Sequence, residues 1–231
     1  MQEHSILKWD NYYSNTITLN LTHVRLYLVT ICVNHPSSVS AGSMDMEGIA
    51  QLGEDLGIDP ASDVTILVLC WKLGCKEKPG QITKEEWEAG MEALNVDSIS
   101  KLRELVPSFD IGFMEGSTFR DFYRFAFQFS REGTHRTLER DITAGLLPLA
   151  MGNRSAHTER FVEFLQTLPE STRVTFDQWS SFLEFSNTVG SDLEGYDEDG
   201  AWPILLDEYV EFVKSKKAGA DGKGKGKASR T

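Results

Sequence analysis

From residue 44 to residue 212 apolar residues recur three and four positions apart, and this helical periodicity constrains the fold more than any other feature of the sequence. One apolar stripe comprises Met46, Ile49, Leu52 and Leu56. Another comprises Leu138, Ile142, Leu146 and Leu149. Capping boxes, which satisfy free N–H groups at a helix start, begin at Thr83 and Thr175. No segment with two-residue periodicity rivals these stripes, so we predict an all-α fold.

Charge is distributed unevenly along the chain, which carries a formal net charge of −12 at pH 7. The last 18 residues, KSKKAGADGKGKGKASRT, hold seven Lys or Arg and one Asp, a net of +6, so the first 213 residues carry −18. An acidic body argues against general affinity for nucleic acid. The Gly/Lys-rich residues 214–231 predict a disordered basic tail, interpreted either as a nuclear localisation or anionic-surface signal or as a solubilising extension.

Residues 17–33 are apolar and rich in β-branched side chains, but Asn20, His23 and Arg25 interrupt them and the run is short for a membrane span. The run also lacks the basic start and small-residue cleavage site of a signal peptide. The three cysteines form neither an even disulfide set nor a zinc-ligand spacing. We therefore expect a protein of a reducing compartment with no membrane partner.

Residues 75–86, CKEKPGQITKEE, have the outline of a calcium-binding EF-hand loop. Gly80 stands at the sharp turn, and Glu86 stands at the final position, where such loops place a bidentate ligand. The first position is Cys75 and the fifth is Pro79, which supplies no side-chain oxygen. Because calcium needs six to eight oxygen ligands, we predict an EF-hand-like shape that binds no metal.

Catalytic motifs are not evident, since the five histidines lie outside any recognised pattern and no phosphate-binding loop or serine elbow occurs. Nothing near Cys75 in the sequence would lower the pKa of its thiol enough for thioester chemistry. The acidic residues Asp177 and Asp207 each fit a solvated helix start, where the helix dipole favours a carboxylate. Taken with the small Ala201 between them, they predict a shallow acidic surface for a partner.

A family resemblance rests on three segments: DPASDVTILVLCWKLG, FRDFYRFAFQFSRE and SFLEFSNTVGSDLEGYDEDGAWPILLDEYVEF. In order and spacing they resemble the potentiating-neddylation domain of the defective-in-cullin-neddylation family, and the run Y-D-E-x-G-A-W-P is its most specific part. The resemblance spans residues 44–213. It implies EF-hand-like helix pairs that have lost their calcium ligands, followed by a C-terminal helical half that binds cullin.

Residues 1–43 depart from the family, and no ubiquitin-associated domain is expected in them. LKWDNYYSN resembles the helix end that precedes the domain in relatives, and residues 16–43 then look inserted. We interpret this atypical segment as disordered or as a translated intron.

The resemblance implies a scaffold rather than an enzyme, with no catalytic residues, no cofactor and no metal. Its implied partners are the C-terminal winged-helix region of a cullin, the N-acetylated neddylation conjugating enzyme and thereby the cullin-RING ligase complex. We expect a monomer in the cytoplasm and nucleus. Two alternatives stay open: a degenerate EF-hand adaptor that binds an amphipathic helix, and a cysteine-dependent transferase acting through Cys75.

The resemblance also implies two binding sites. The cullin-facing acidic patch maps onto Asp177, Ala201 and Asp207. The apolar pocket for the acetylated N-terminal methionine of the conjugating enzyme maps onto Met46, Ile49, Ile66, Leu67, Leu69, Cys70, Leu73, Ile82, Phe129, Leu146 and Leu149. Leu73, Ile82 and Leu146 stand where aromatic residues are usual in the family.

Overall fold

A computed structural model describes residues 39–40, 43–59 and 62–224. The helices are α1 (Met46–Leu56), α2 (Thr65–Lys72), α3 (Lys84–Ala93), α4 (Ile99–Leu105), α5 (Gly116–Phe129), α6 (Arg140–Met151), α7 (Thr158–Thr167), α8 (Phe176–Thr188) and α9 (Ile204–Gly224), with 3₁₀ turns at Val106–Phe109 and Ile111–Phe113. The strands are β1 (Val39–Ser40), β2 (Ser43–Met44), β3 (Ile82–Thr83), β4 (Thr137–Glu139) and β5 (Arg173–Thr175). The prediction of an all-α fold is confirmed, because the strands are only two or three residues long.

The first helical unit contains α1, α2 and α3, held together by a small sheet at the helix starts. β2 pairs antiparallel with both β1 and β3, and Met44 opposite Ile82 is buried in this sheet. Asp45 caps α1 by accepting the N–H groups of its first turn. The capping box predicted at Thr83 is present on α3, with Glu86 as its second member.

The second unit repeats this design with two complete helix–strand–helix elements, α5–β4–α6 and α7–β5–α8. β4 and β5 pair antiparallel, and the buried Leu138 lies opposite the buried Val174. The capping box predicted at Thr175 is confirmed, with Gln178 as its second member. Two helix pairs joined through short strands are the arrangement of EF-hand proteins, so the geometry agrees with the predicted EF-hand-like units.

The apolar stripe predicted for α6 is partly wrong. Leu138 lies in β4 rather than in the helix, and Ile142 is 42% exposed. The buried face of α6 instead includes Thr143, Leu146, Leu147, Ala150 and Met151. Thr143 tolerates burial because its hydroxyl donates to the Glu139 carbonyl at 2.8 Å. The pairing of β4 with β5 fixes where α6 begins, and thereby rotates its buried face away from the predicted stripe.

A pair of aromatic residues joins α5 to α8 across the core. The rings of Tyr123 and Trp179 stack with centroids 4.5 Å apart. The Tyr123 hydroxyl donates to the Trp179 carbonyl at 3.1 Å, and the Trp179 indole N–H donates to the Tyr123 carbonyl at 2.9 Å. Both polar atoms are therefore satisfied inside the core, which fixes the two helices relative to each other.

The C-terminal helix α9 is attached to α7 and α8 through the buried His157. One ring nitrogen of His157 lies 2.9 Å from the Tyr209 hydroxyl on α9, and the other lies 3.0 Å from the Val189 carbonyl at the end of α8. Burial lowers the pKa of His157, and the nearby Arg160 adds to this effect. The neutral ring can accept from the tyrosine while it donates to the carbonyl.

The last helix continues to Gly224, beyond the start predicted for the disordered tail at residue 214. Lys214 pairs with Glu198 and Glu211, Lys216 pairs with Glu163, and Lys217 donates to the Asp192 carbonyl at 2.9 Å. These contacts give the first basic residues of the tail partners on the acidic body. The predictions for residues 1–38 and 225–231 lie outside the described residues. Among the described residues, no helix combines the length and apolar character that crossing a bilayer requires.

Candidate functional site

The acidic segment 190–203 joins α8 to α9 and is built as a series of tight turns. The Gly190 N–H donates to the Glu194 carbonyl at 2.8 Å, and the Trp202 N–H donates to the Gly200 carbonyl at 2.8 Å. Gly200 is required by close packing, because a Cβ there would lie 2.9 Å from the Asp197 carbonyl oxygen. The half-buried Trp202 packs edge-on against Phe185 of α8 and anchors the segment.

The three residues predicted to face a cullin lie at or near the surface. Asp177, in the first turn of α8, and Ala201 are exposed. Asp207 is half-buried, so the expectation of a solvated carboxylate at this helix start is only partly met. The Tyr196 hydroxyl donates to Asp207 Oδ1 at 2.7 Å and thereby covers part of the carboxylate. Burial, followed by this contact with Asp207, raises the pKa of Tyr196 to about 12.

Ala201 and Asp207 belong to one continuous part of the surface, whereas Asp177 lies further away. The helical rise places Asp177 about 12 Å along α8 from the level of Phe185, where Trp202 packs. Among the described residues, no hydrogen bond or ion pair joins Asp177 to Ala201 or Asp207. The three predicted residues are therefore spread over the surface of the C-terminal half and do not form one cluster of carboxylates.

Three residues of this surface were not predicted. Tyr196 orients Asp207, as described above. Ile204 is 74% exposed in the first turn of α9, between Ala201 and Asp207. Lys214 forms ion pairs of 2.6 Å with Glu198 and 3.0 Å with Glu211, and its ammonium lies 5.8 Å from the centre of the Tyr196 ring. Only Tyr196 had a signal in the sequence, as the first residue of the run Y-D-E-x-G-A-W-P.

In the loop at 75–86 the last carboxylate accepts hydrogen bonds from the loop itself, where an EF-hand would bind an ion. Glu86 accepts the N–H groups of Lys76 at 2.6 Å, Glu77 at 2.8 Å and Thr83 at 2.9 Å, together with the Thr83 hydroxyl at 2.9 Å. Burial alone would raise the pKa of Glu86, but these hydrogen bonds outweigh burial and lower it. No group of three or more His, Cys, Asp or Glu among the described residues could hold a metal ion.

The two described cysteines are adjacent and buried. A hydrogen bond with the Cys70 thiol raises the pKa of Cys75 well above its usual range, and burial and the charge of Glu86 raise it further. Thioester chemistry needs a thiolate, which an exposed and electropositive environment favours. The surroundings of Cys75 instead disfavour its thiolate.

The residues predicted to form the apolar pocket lie mostly in the hydrophobic core. Met46 is 60% exposed, and Leu67 and Leu149 are half-buried. The remaining eight are buried, namely Ile49, Ile66, Leu69, Cys70, Leu73, Ile82, Phe129 and Leu146. Met46 and Phe129 both lie close to Gly80, where a Cβ would stand 3.4 Å from Met46 Sδ and 3.9 Å from the Phe129 carbonyl oxygen. Met46 is therefore the most exposed residue of this set.

Comparisons with known proteins agree on one family. A family model described as "Cullin binding" matches residues 101–212. DCN1-like protein 5 of Bos taurus is 40% identical over 172 residues, which cover 74% of this chain and 72% of that protein. Human DCN1-like protein 4 is 38% identical over 179 residues, covering 76% of this chain and 60% of that protein. DCN1-like protein 4 of Drosophila melanogaster is 31% identical over 174 residues.

Proposed function

Because this chain belongs to the DCN1-like family of cullin-binding proteins, we propose that it binds a cullin and promotes the attachment of a ubiquitin-like modifier to it. The cullin-binding match at residues 101–212 includes Asp177, Ala201 and Asp207. An acidic surface with an exposed apolar residue, Ile204, suits the basic C-terminal winged-helix region of a cullin. The arrangement around Ala201, flanked by carboxylates and open to solvent, is the observation that carries the proposal.

The second part of the proposal is a site for the N-acetylated methionine of the neddylation conjugating enzyme. Its entrance is at the exposed Met46, and its walls are the apolar residues beneath it. Because these residues are tightly packed, entry of a methionine side chain requires some of them to change rotamer. Binding at this site places the conjugating enzyme on the first helical unit, while the cullin lies on the C-terminal half.

Such a protein acts as a scaffold without its own catalytic residues. Holding the two partners on one rigid body turns their encounter into an effectively intramolecular event, which raises the rate of transfer without any proton transfer by the scaffold. The raised pKa of the Cys75 thiol supports this over a thioester mechanism. We propose that the protein acts in this way on cullin-RING ligases in the cytoplasm and nucleus.

The proposal is tested by reconstituted cullin neddylation with and without the protein. Ala201→Arg adds bulk and the wrong charge where a partner approaches, so we expect it to abolish both cullin binding and rate enhancement. Ala218→Arg is the control, because Ala218 is also exposed but lies further along the chain, on α9. If Ala201→Arg still binds cullin as the unmodified protein does, the surface assignment fails.

A further inference from the structure

A groove of about 630 Å³ lies between the loop after α2 and the outer face of α5, and it borders the start of α8 at Phe176. Its floor and walls include Trp71, Phe125 and Phe176, all half-buried with part of each ring open to the groove. Three different elements contribute these rings, namely α2, α5 and the first residue of α8. The groove combines aromatic surface with solvent access, which is the usual character of a peptide-binding site.

Four cations line this groove in a protein whose overall charge is −12. Lys76, Lys78 and Arg124 are exposed, and Arg131 is half-buried. Among the described residues none of the four has a carboxylate partner within ion-pair distance, whereas Lys214 and Lys216 of α9 each have one. Asp121 is the one carboxylate residue in the lining. The groove is therefore a local positive field on an acidic body, which attracts anionic groups.

The two arginines are held in position without using all of their donors. The Arg124 guanidinium lies over the Phe176 ring, 5.0 Å from its centre. Arg131 donates to the Gln128 carbonyl at 3.2 Å and to the His135 carbonyl at 3.1 Å. Each guanidinium has five N–H donors, so both retain donors for a carboxylate. Their positions are fixed before a ligand arrives, which reduces the entropy lost on binding.

We propose that this groove is a third binding surface, and that it takes an extended acidic peptide segment of a partner protein with an apolar side chain among its carboxylates. The apolar side chain would occupy the space between Trp71, Phe125 and Phe176. The carboxylates would pair with Lys76 and Arg124 at the rim. Charge complementarity selects this occupant, because a basic segment would be repelled and a simple anion would leave the aromatic surface uncovered.

Other parts of this chain are poorer candidates for the groove. The C-terminal tail carries a net charge of +6, so the four cations repel it. The acidic segment 190–203 of a second copy has suitable charge, but internal hydrogen bonds fold it into turns and anchor it through Trp202. An extended peptide offers carboxylates and an apolar side chain on the same strand, which this compact segment does not.

The test uses fluorescence anisotropy with a fluorescein-labelled short peptide of Asp and Glu residues around a central Leu–Phe pair. We expect saturable binding to the unmodified protein that weakens as salt is added, because exposed charges are screened. Two control peptides need no protein variant. One replaces every acid by its amide, the other replaces Leu–Phe by two serines, and each should bind at least about tenfold more weakly if charge and apolar contact both contribute. Equal binding of either control overturns the proposal.

Protein variants then locate the site. The double charge reversal Lys76→Glu with Arg124→Glu should weaken binding of the acidic peptide by at least about tenfold. Lys101→Glu with Arg120→Glu makes the same charge change at exposed positions outside the groove and should retain binding within about twofold. If both double variants lose peptide binding equally, the attraction is nonspecific and the proposal is overturned. Sedimentation that shows self-association lost only in the groove variant would make the occupant a second copy, and would overturn the partner assignment.

Discussion

The hydrogen bond from Tyr196 to Asp207 ties the stability of the C-terminal half to its proposed cullin-binding surface. Tyr196→Phe removes only the hydroxyl that donates to Asp207 at 2.7 Å. A hydrogen bond to a charged acceptor contributes about 1.5–3 kcal/mol when shielded, and both residues here are half-exposed, so we expect a loss of about 1 kcal/mol in the free energy of unfolding. Asp207→Ala should cost a similar amount, because it removes the same contact from the other side.

A double-mutant cycle separates this contact from unrelated effects. If the hydrogen bond is the shared cause, the variant with both changes should lose about 1 kcal/mol rather than about 2, which gives a coupling energy of about 1 kcal/mol. Urea denaturation followed by circular dichroism measures each free energy of unfolding. Additive losses, with no coupling, would refute the inference that Tyr196 holds Asp207.

Asp207→Asn distinguishes the charge of this residue from its hydrogen bond. The asparagine keeps a carbonyl oxygen that can accept from Tyr196, so the free energy of unfolding should stay within about 0.5 kcal/mol of the unmodified protein. Binding to a cullin C-terminal fragment should nevertheless weaken and become less sensitive to salt, since one charge pair is lost. Calorimetry at two salt concentrations provides the measurement. Unchanged cullin affinity at low salt would show that the charge of Asp207 is not recognised.

Four further predictions concern other parts of the molecule. Because burial lowers the pKa of His157 in the folded state, the unfolded state binds more protons below about pH 6.5, and stability should fall as the pH drops from there. Between pH 7.5 and pH 5.5 the free energy of unfolding, measured by denaturation, should fall less in the His157→Gln variant than in the unmodified protein. An equal fall would contradict the assignment of this pH dependence to His157. Glu86→Ala should cost about 2 kcal/mol or more in urea denaturation, because three N–H groups lose their acceptor. A calcium titration of the unmodified protein should give no saturable site at micromolar concentration, and an EGTA-reversible one would contradict the loop's description. Finally, an N-acetylated peptide of the conjugating enzyme should bind at least about tenfold tighter than its free-amine form, since a buried ammonium carries a desolvation cost. Calorimetry measures both affinities, and equal values would contradict the assignment of the pocket.

The helical architecture was predictable because it is encoded locally. Periodicity placed most helices, and the capping boxes at Thr83 and Thr175 both occur where the sequence predicts them. The position of Leu138 was not predictable in the same way. It belongs to a three-residue strand whose partner, Val174, lies 36 positions later, and such a short pairing leaves no periodic signal. Helix starts next to these strands are therefore set by tertiary pairing.

The candidate sites depended on tertiary contacts to different degrees. The exposure of Asp177 follows from its place in the first turn of α8, so sequence reasoning was sufficient. The partial burial of Asp207 depends on the path of the segment 190–203, which brings Tyr196 onto it from 11 positions away. The groove could not be predicted at all, because Trp71, Arg124 and Phe176 come from three elements whose adjacency only the folded chain defines.

A scaffold increases a reaction rate only if it fixes the geometry between its partners, so the connection between the binding surfaces matters as much as the surfaces. In this protein α5 contributes Phe129, which lies near Gly80 and Met46, to the proposed pocket, and Tyr123 to the contact with α8. α8 in turn carries Asp177 at its start and reaches His157 and α9 through Val189 at its end. The reciprocal hydrogen bonds between Tyr123 and Trp179 therefore join α5, which carries Phe129 of the proposed pocket, to α8, which carries Asp177 of the proposed cullin-facing surface. Loosening that contact would lower the effective concentration of one partner at the other while leaving each isolated affinity intact, because neither binding surface contains these two side chains.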